Sequence, residues 1–412
     1  MIVSPIAVET DPAAVGLDAE RLTRIGSRLR RYVDDDLFAG WLVAVARKGK
    51  VAYVETYGNR DREAGLPMQT DTIFRMASMT KPITAVAAMM LWEEGAFELR
   101  DPIHKFIPSF KETRVWRGGT HAAPVTGPLQ DPVAIWHLLT HTSGLTYGFL
   151  FSHPVDAMYR AAGFEWGTPP GKSLEEICDM LAAQPLLFQP GAEWNYSMAT
   201  DVLGRVIEVV SGQTLDDFFR TRIFEPLGMV DTAFWCPPEK ANRLAAAYVP
   251  APGTKKAVRS PMPDNTGTKP MFLSGGGGLL STARDYQRFA IMLSNGGSLE
   301  EVRLLSPRTI KYMASNHLPG NADLSQYGRQ LFAETSFDGV GFGLGVSVTI
   351  DPVKAKVVAS EGDFGWGGAH STWFMVDPVE QLTALFLTQL LPSSTHPVRS
   401  QLKPLIHQAI VG

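Results

Sequence analysis

Apolar positions recur along this chain with three different spacings, and each change of spacing marks a new kind of element. From Asp18 to Val33, Leu22, Ile25, Leu29, Tyr32 and Val33 fall at helical intervals, with Arg21, Arg24, Arg28 and Arg31 left for a solvated face. Leu42 to Ala46 and Val51 to Thr56 then flank Arg47-Lys48-Gly49-Lys50, the pattern of a β-hairpin. Ile83 to Trp92 carries almost no polar residue and predicts a helix buried on nearly all sides. Pro82 is compatible with a helix only in its first turn, so this helix begins close to Ser78.

The middle of the chain is patterned mostly for helices. Ser173-Leu174-Glu175-Glu176 is a capping box opening a helix that Pro185 limits, and Asp201–Val210 and Asp216–Ile223 read as two more. Gly-, Pro- and Thr-rich residues from Val115 to Pro132 predict an ordered surface excursion, and Pro250 to Pro270 a crossing between regions. Strand-like runs return at Gly343–Ile350, Thr372–Val376 and Leu382–Thr388. The last two are joined through Asp377-Pro378, too short for a parallel crossover, so the sheet there is expected to be antiparallel. A terminal helix from Pro397 to Ile410 should pack on it. The expected fold is α/β in the α+β sense: an antiparallel sheet flanked by helices, formed by residues 1–75 and 271–412, with a mostly helical domain at 76–270 inserted between them.

Composition narrows the function classes. The 412 residues are 45% hydrophobic and 19% charged, ordinary for a globular protein. A net charge of −4 offers no footprint for nucleic acid. No apolar run approaches the roughly 20 residues needed to span a bilayer. Cys178 and Cys236 can build neither a disulfide framework nor a CxxC metal pair. The first residues, MIVSPIAVETDPAAVG, lack the basic start and apolar core of a signal peptide, so the expected location is the cytoplasm.

The chemistry-bearing motif is Ser78-Met79-Thr80-Lys81. On a helix, positions i and i+3 share a face, so a hydroxyl nucleophile meets an amine able to act as its base. A lysine serves as a base only when neutral, a form that burial favours. The helix N-terminus favours the negative charge that develops during attack. A second copy, Ser400-Gln401-Leu402-Lys403, lies on the amphipathic terminal helix, where nothing apolar is expected to enclose the lysine. His137 and His141 have the i, i+4 spacing of a zinc helix but lack the following glutamate, so no metal is assigned. The run Ser274 to Thr282 has four glycines without the Lys-Ser/Thr ending of a phosphate loop, and is read as close backbone packing before a helix capped by Ser281 or Thr282. Aromatic residues cluster from Tyr147 to Pro170, as a lid over an apolar substrate or as a loop packed on the core.

Taken with Glu193-Trp194-Asn195-Tyr196-Ser197 and Trp366-Gly367-Gly368, the Ser78-x-x-Lys81 motif resembles those of the serine β-lactamase and penicillin-binding superfamily. Within it, the chain is most similar to the family VIII carboxylesterases, relatives of class C β-lactamases; HLLTHTSGL (137–145), QPGAEWNYS (189–197) and SGGGGLLST (274–282) extend the likeness over almost the whole length. The resemblance implies a β-lactamase-like fold with the active site between its two domains. It also implies Ser78 as nucleophile, Lys81 as its base or proton store, and Tyr196 as the group that protonates the leaving alcohol and activates water. The backbone N–H groups of Ser78 and Ala369 would form an oxyanion hole, at roughly 3–4 kcal/mol per donor. Trp366, Gly367, Gly368 and Met198 would contact substrate, and no metal or cofactor is implied.

Two departures from the superfamily pattern bear on substrate. Its tyrosine motif usually ends in Asn, whereas here Met198 cannot donate a hydrogen bond to a substrate amide. Its third motif usually opens with Lys or His, whereas here it opens with Trp366, which forfeits about 1.5–3 kcal/mol of charge-assisted contact to a substrate carboxylate. Both favour a neutral, apolar ester over an anionic β-lactam or peptide. The expected activity is hydrolysis of short-chain acyl esters through an acyl-Ser78 intermediate, with weak β-lactamase activity as a side reaction. The alternatives are a β-lactamase, peptidase or acyltransferase using the same groups, or a non-catalytic penicillin-binding-like protein. No Gly-x-Ser-x-Gly elbow supports an α/β-hydrolase. Oligomeric state is not encoded in any recognisable pattern.

Overall fold

The computed structural model describes residues 5–262, 267–329 and 337–412. Residues 263–266 of the expected crossing between Pro250 and Pro270 lie outside the described residues.

An eight-stranded antiparallel sheet organises the molecule. Its strands are β1 (Gly40–Arg47), β2 (Lys50–Asp61), β3 (Leu66–Pro67), β4 (Val340–Phe342), β5 (Ser347–Thr349), β6 (Phe364–Gly367), β7 (Trp373–Asp377) and β8 (Leu382–Leu387), in the spatial order β4-β5-β6-β7-β8-β1-β2-β3. The first hairpin and the last quarter of the chain meet where β1 pairs β8, with Leu42 opposite Leu387 and Arg47 opposite Leu382. The central strands are buried on both faces, and their period-2 alternation sorts side chains to two cores. Leu42, Ala44, Phe374 and Leu385 enter one. Trp41, Val43, Met375 and Phe386 enter the other.

That second core is closed by α1 (Ala19–Asp34) and the terminal helix, whose apolar residues Val398, Leu402 and Ile406 face the same layer. The arginines of α1 are exposed, and Arg24 and Arg28 donate to Gln408 and Gln401 of the terminal segment, so this face also ties the two helices together. The first core is covered by α2 (Thr80–Glu93), α3 (Ala199–Ser211) and α4 (Ala283–Ser294). Every residue of α2 from Thr80 to Leu91 is buried, as its unbroken apolar run predicts. The terminal helix is α5 (Val398–His407).

Two expected elements take a different form. Gly343–Ile350 is not a single strand: β4 and β5 pair as a tight hairpin with Val340 opposite Thr349. Gly345 supplies the turn at φ +80°, and a Cβ there would stand 2.5 Å from Cβ of Ala85 in α2. The apolar run is therefore a turn pressed into the core, which no period reveals. The Val115–Pro132 excursion contains its own hairpin, with Val115 opposite Gly127. The capping box at Ser173 and Glu176 and the Thr282 cap of α4 form as predicted. No helix among the described residues is long and apolar enough to cross a membrane.

Candidate active site

Ser78 sits in a single 3-10 turn, Ala77–Met79, immediately ahead of α2. Ala77 holds φ +46°, a conformation costly for an L-residue, and it turns the chain sharply at the residue before the serine. The turn is held by its neighbours. The Met76 amide donates to the Leu279 carbonyl at 2.9 Å, the Tyr286 hydroxyl donates to the Met79 carbonyl at 2.7 Å, and the Leu279 amide donates to the Thr80 hydroxyl at 3.1 Å.

One turn on, Lys81 is 1% exposed. Its amine donates to the Gly276 carbonyl at 2.7 Å, the Tyr147 hydroxyl at 3.2 Å and the Ser78 hydroxyl at 3.4 Å. It also stands 4.5 Å from the centroid of the Tyr196 ring, so Lys81 meets Tyr196 through the ring face. The glycine run is thus more than close packing, since one of its carbonyls fixes the lysine. That loop is anchored in turn by Asp201 on α3, whose buried carboxylate accepts from the Ser274 hydroxyl at 2.6 Å and the Gly276 amide at 3.0 Å. Burial raises the Asp201 carboxyl above its usual range, and the Lys81 charge works against that rise. Tyr147 is pushed well above an ordinary phenol by burial and then by Tyr196 and Asp201, so its hydroxyl keeps its proton.

Tyr196 stands between two rings, 5.3 Å from Tyr147 and 5.6 Å from Trp366 by centroid. The indole N–H of Trp366 donates to its hydroxyl at 3.4 Å. Behind it lies His141, 5.1 Å away, with Nδ1 sharing a hydrogen with the Ser197 hydroxyl at 3.1 Å. Burial first and the Lys81 charge second hold this imidazole neutral. His137 lies in the short helix Ile135–Leu139, whereas His141 has left it with φ +55°, so the two histidines do not share a helix face. No group of three or more metal-ligating side chains occurs among the described residues.

The third motif closes the site through its glycines. A Cβ on Gly368 would fall 2.2 Å from both the Met76 carbonyl and the Thr372 hydroxyl, so only glycine lets the end of β6 pass this close to the turn carrying Ser78. A Cβ on Gly367 would occupy the place of the Arg399 guanidinium, which donates to the Gly368 carbonyl at 2.8 Å and the Thr372 carbonyl at 3.1 Å. Ser78, Tyr196, Trp366, Gly367, Gly368 and Ala369 all line one cavity of about 460 Å³. Met198 does not line it; the residue is buried at the start of α3.

The second Ser-x-x-Lys copy also reaches this cavity, but its groups are occupied elsewhere. The Ser400 hydroxyl donates to the Pro397 carbonyl at 3.0 Å, and Lys403, half-buried, pairs with Asp363 at 2.7 Å. Three residues with evident parts in the geometry escaped the sequence reading: Tyr147 as a lysine partner, Asp201 and Arg399. Each acts across a long stretch of chain; only Tyr147, in the aromatic cluster after the HTSGL phrase, left a local signal.

Residues 27–408 match the β-lactamase family. The chain belongs to that family. Its relatives include esterases and acyltransferases: the chain is 33% identical to esterase EstB of Burkholderia gladioli over 93% of its own length and 94% of that protein. It is 31% identical to a lovastatin esterase of Penicillium rubens over 81% and 84% respectively. Among solved structures it is similar to EstCE1, described as a hydrolase with promiscuous acyltransferase activity, at TM-score 0.79 and 28% identity, covering 94% of this chain and 99% of that one. The resemblance to carboxylesterases of the β-lactamase family therefore holds over nearly the whole chain, and the protein is a β-lactamase-like serine hydrolase.

Proposed function

We propose that this protein is a carboxylesterase that cleaves short-chain, neutral acyl esters through an acyl-Ser78 intermediate. Its site lies between a sheet domain, residues 1–75 and 271–412, and the helical domain at 76–270. The observation that carries the reading is the hydrogen bond from Lys81 to the Ser78 hydroxyl at the wall of a cavity that Tyr196 and Ala369 also line.

In this reading the Ser78 oxygen attacks the ester carbonyl as its proton passes into the Lys81 and Tyr196 group. The carbonyl oxygen, now negative, is held by the N–H groups of Ser78 and Ala369. The C–O bond to the alcohol breaks, and the departing oxygen takes the proton back from the same group. Water then repeats the sequence on the acyl-serine, releasing the acid. The proton that leaves with the alcohol is replaced from the attacking water, so Ser78 and its partners end as they began. The apolar wall of Trp366 and Phe337 suits a neutral acyl group. The promiscuous acyltransferase activity of EstCE1 supports a second outcome: an alcohol in place of water turns the second half into acyl transfer.

The test is hydrolysis of p-nitrophenyl butyrate by wild type, Ser78→Ala and Ser400→Ala, with a chromogenic cephalosporin alongside. Loss confined to Ser78→Ala, with slow or no cephalosporin turnover, is expected. Full activity of Ser78→Ala would remove the proposed nucleophile, and preference for the cephalosporin would overturn the substrate assignment.

A further inference from the structure

A row of aromatic rings leads from the lysine to the surface. Tyr147 and Phe149 stack at 4.6 Å with 19° between planes, and Phe149 and Trp166 at 5.7 Å with 7°. The inner ring carries the hydroxyl that accepts from Lys81. At the outer end Trp166 is 65% exposed, and Phe151, 6.2 Å from it, is 57% exposed.

The segment bearing these rings is fastened down. Asp156, fully buried, accepts from the Thr146 hydroxyl at 2.8 Å and from the amides of Ser152 and His153, both at 2.9 Å. Arg160 donates to the Gly148 carbonyl and lies 4.2 Å over the Phe151 ring. Gly148 itself packs so closely on the Phe164 carbonyl that a Cβ would stand 1.9 Å from it. A buried carboxylate is costly unless it is hydrogen-bonded, and these bonds fix the backbone of the segment in return. Here they hold flat apolar rings fixed in water, the preorganised surface that a flat apolar ligand needs.

Reaction geometry says which part of a substrate lies there. The leaving oxygen must sit against the Lys81 and Tyr196 group that protonates it, and Tyr147, the inner ring of the row, adjoins that group: its hydroxyl accepts from Lys81 and its ring centroid lies 5.3 Å from that of Tyr196. The carbonyl oxygen must meet the N–H groups of Ser78 and Ala369, and the remaining cavity wall, with Trp366 and Phe337, is left for the acyl chain. We propose that the Tyr147–Phe149–Trp166 row is the binding site for the alcohol half of the ester, and that it selects alcohols bearing a planar aromatic or fused-ring system. The proposal rests on the esterase reading above. In acyl transfer an acceptor alcohol would enter along the same row, because transfer to an alcohol is the reverse of its departure.

The test compares 2-(2-naphthyl)ethyl butyrate with n-butyl butyrate, two alkyl esters of one acid, in wild type, Trp166→Ala and Trp166→Phe. The ratio of their kcat/KM values is the readout, so a general loss of activity cancels. The wild type should favour the naphthyl ester. Trp166→Ala should lower the ratio roughly fivefold, the size of one stacked aromatic pair, and Trp166→Phe should keep most of it. A mirrored pair, n-butyl esters of butyric and 3-(2-naphthyl)propanoic acid, should respond to Trp166→Ala equally. An unchanged ratio in the alcohol series, or a change in the acyl series instead, overturns the proposal. If neither ester shows Ser78-dependent cleavage, the esterase reading itself falls, a result distinct from an intact esterase indifferent to Trp166.

Discussion

Lys81 donates to the Gly276 carbonyl at 2.7 Å, a shorter contact than its 3.4 Å to the Ser78 hydroxyl. The lysine is therefore aimed by a loop from a distant part of the chain, and that loop is held by Asp201 through the Gly276 amide. Positioning of the lysine is delegated to a carboxylate that makes no hydrogen bond to either partner of the Ser-Lys pair.

Asp201→Ala should then impair both catalysis and stability. Removing the acceptor leaves the buried Gly276 amide and the Ser274 hydroxyl unsatisfied, at about 1–3 kcal/mol. The esterase kcat should fall about ten- to a hundredfold as the Gly276 carbonyl shifts. Asp201→Asn, which keeps an acceptor oxygen, should restore most of both. Urea unfolding and steady-state kinetics on the two variants check this, and equal activity of Asp201→Ala and wild type would sink it.

The two tyrosines should separate by role. Tyr196→Phe removes the hydroxyl that faces the cavity, and should cost about 10²- to 10⁴-fold in kcat, the range of a general acid–base group. Tyr147→Phe removes one of three acceptors around Lys81, and should cost nearer tenfold. Pre-steady-state acylation rates with p-nitrophenyl butyrate distinguish them. The reverse order would transfer the proton-shuttling role to Tyr147.

Gly368→Ala should damage the site without touching any reacting side chain. Its methyl must displace the Met76 carbonyl or the Thr372 hydroxyl, and either moves Ala369 away from Ser78. A displacement near 1 Å costs about a hundredfold in rate. Acylation should slow by that factor while the Ser78-dependence of the residual activity persists; a wild-type acylation rate would argue against the close approach.

Asp285, on α4 outside the site, should set a pH dependence of stability. It is almost fully buried, accepts from the Asp231 amide at 2.7 Å and the Thr232 hydroxyl at 3.0 Å, and is pushed up to about 6 by burial and then by the nearby Asp231 charge. The unfolded value is about 3.9. The folded state thus holds the proton more tightly, so the stabilisation is complete below about pH 4 and is lost as pH rises through about 6. Asp285→Asn cannot ionise. Its stability relative to wild type should improve by about 2–3 kcal/mol from pH 4 to pH 7 in urea unfolding, and a gap that does not move with pH would count against this assignment.

What was legible in the chain is what short-range chemistry writes into it. Apolar spacing announced α1 and the β1–β2 hairpin, an unbroken apolar run announced α2, and the Asp377-Pro378 connection announced the antiparallel pairing of β7 with β8. Ser78 and Lys81 are three residues apart where the 3-10 turn runs straight into α2, so their meeting follows from local helical geometry. The Gly343–Ile350 run misled because a turn buried against α2 is as apolar as a strand.

The amino-acid sequence by itself determined the Ser78–Lys81 pair, the buried helix beside it and the strands that pair through short connections, because hydrogen bonding and side-chain spacing within a few residues suffice for these. Only the tertiary structure decided that Gly276, held by Asp201, aims the lysine, that Tyr147 rather than the Tyr196 hydroxyl accepts from it, and that Arg399 braces the loop of Ala369. Those contacts join segments far apart in the chain. Their partners are selected by packing of the whole core, which leaves no periodic trace in any one stretch of it.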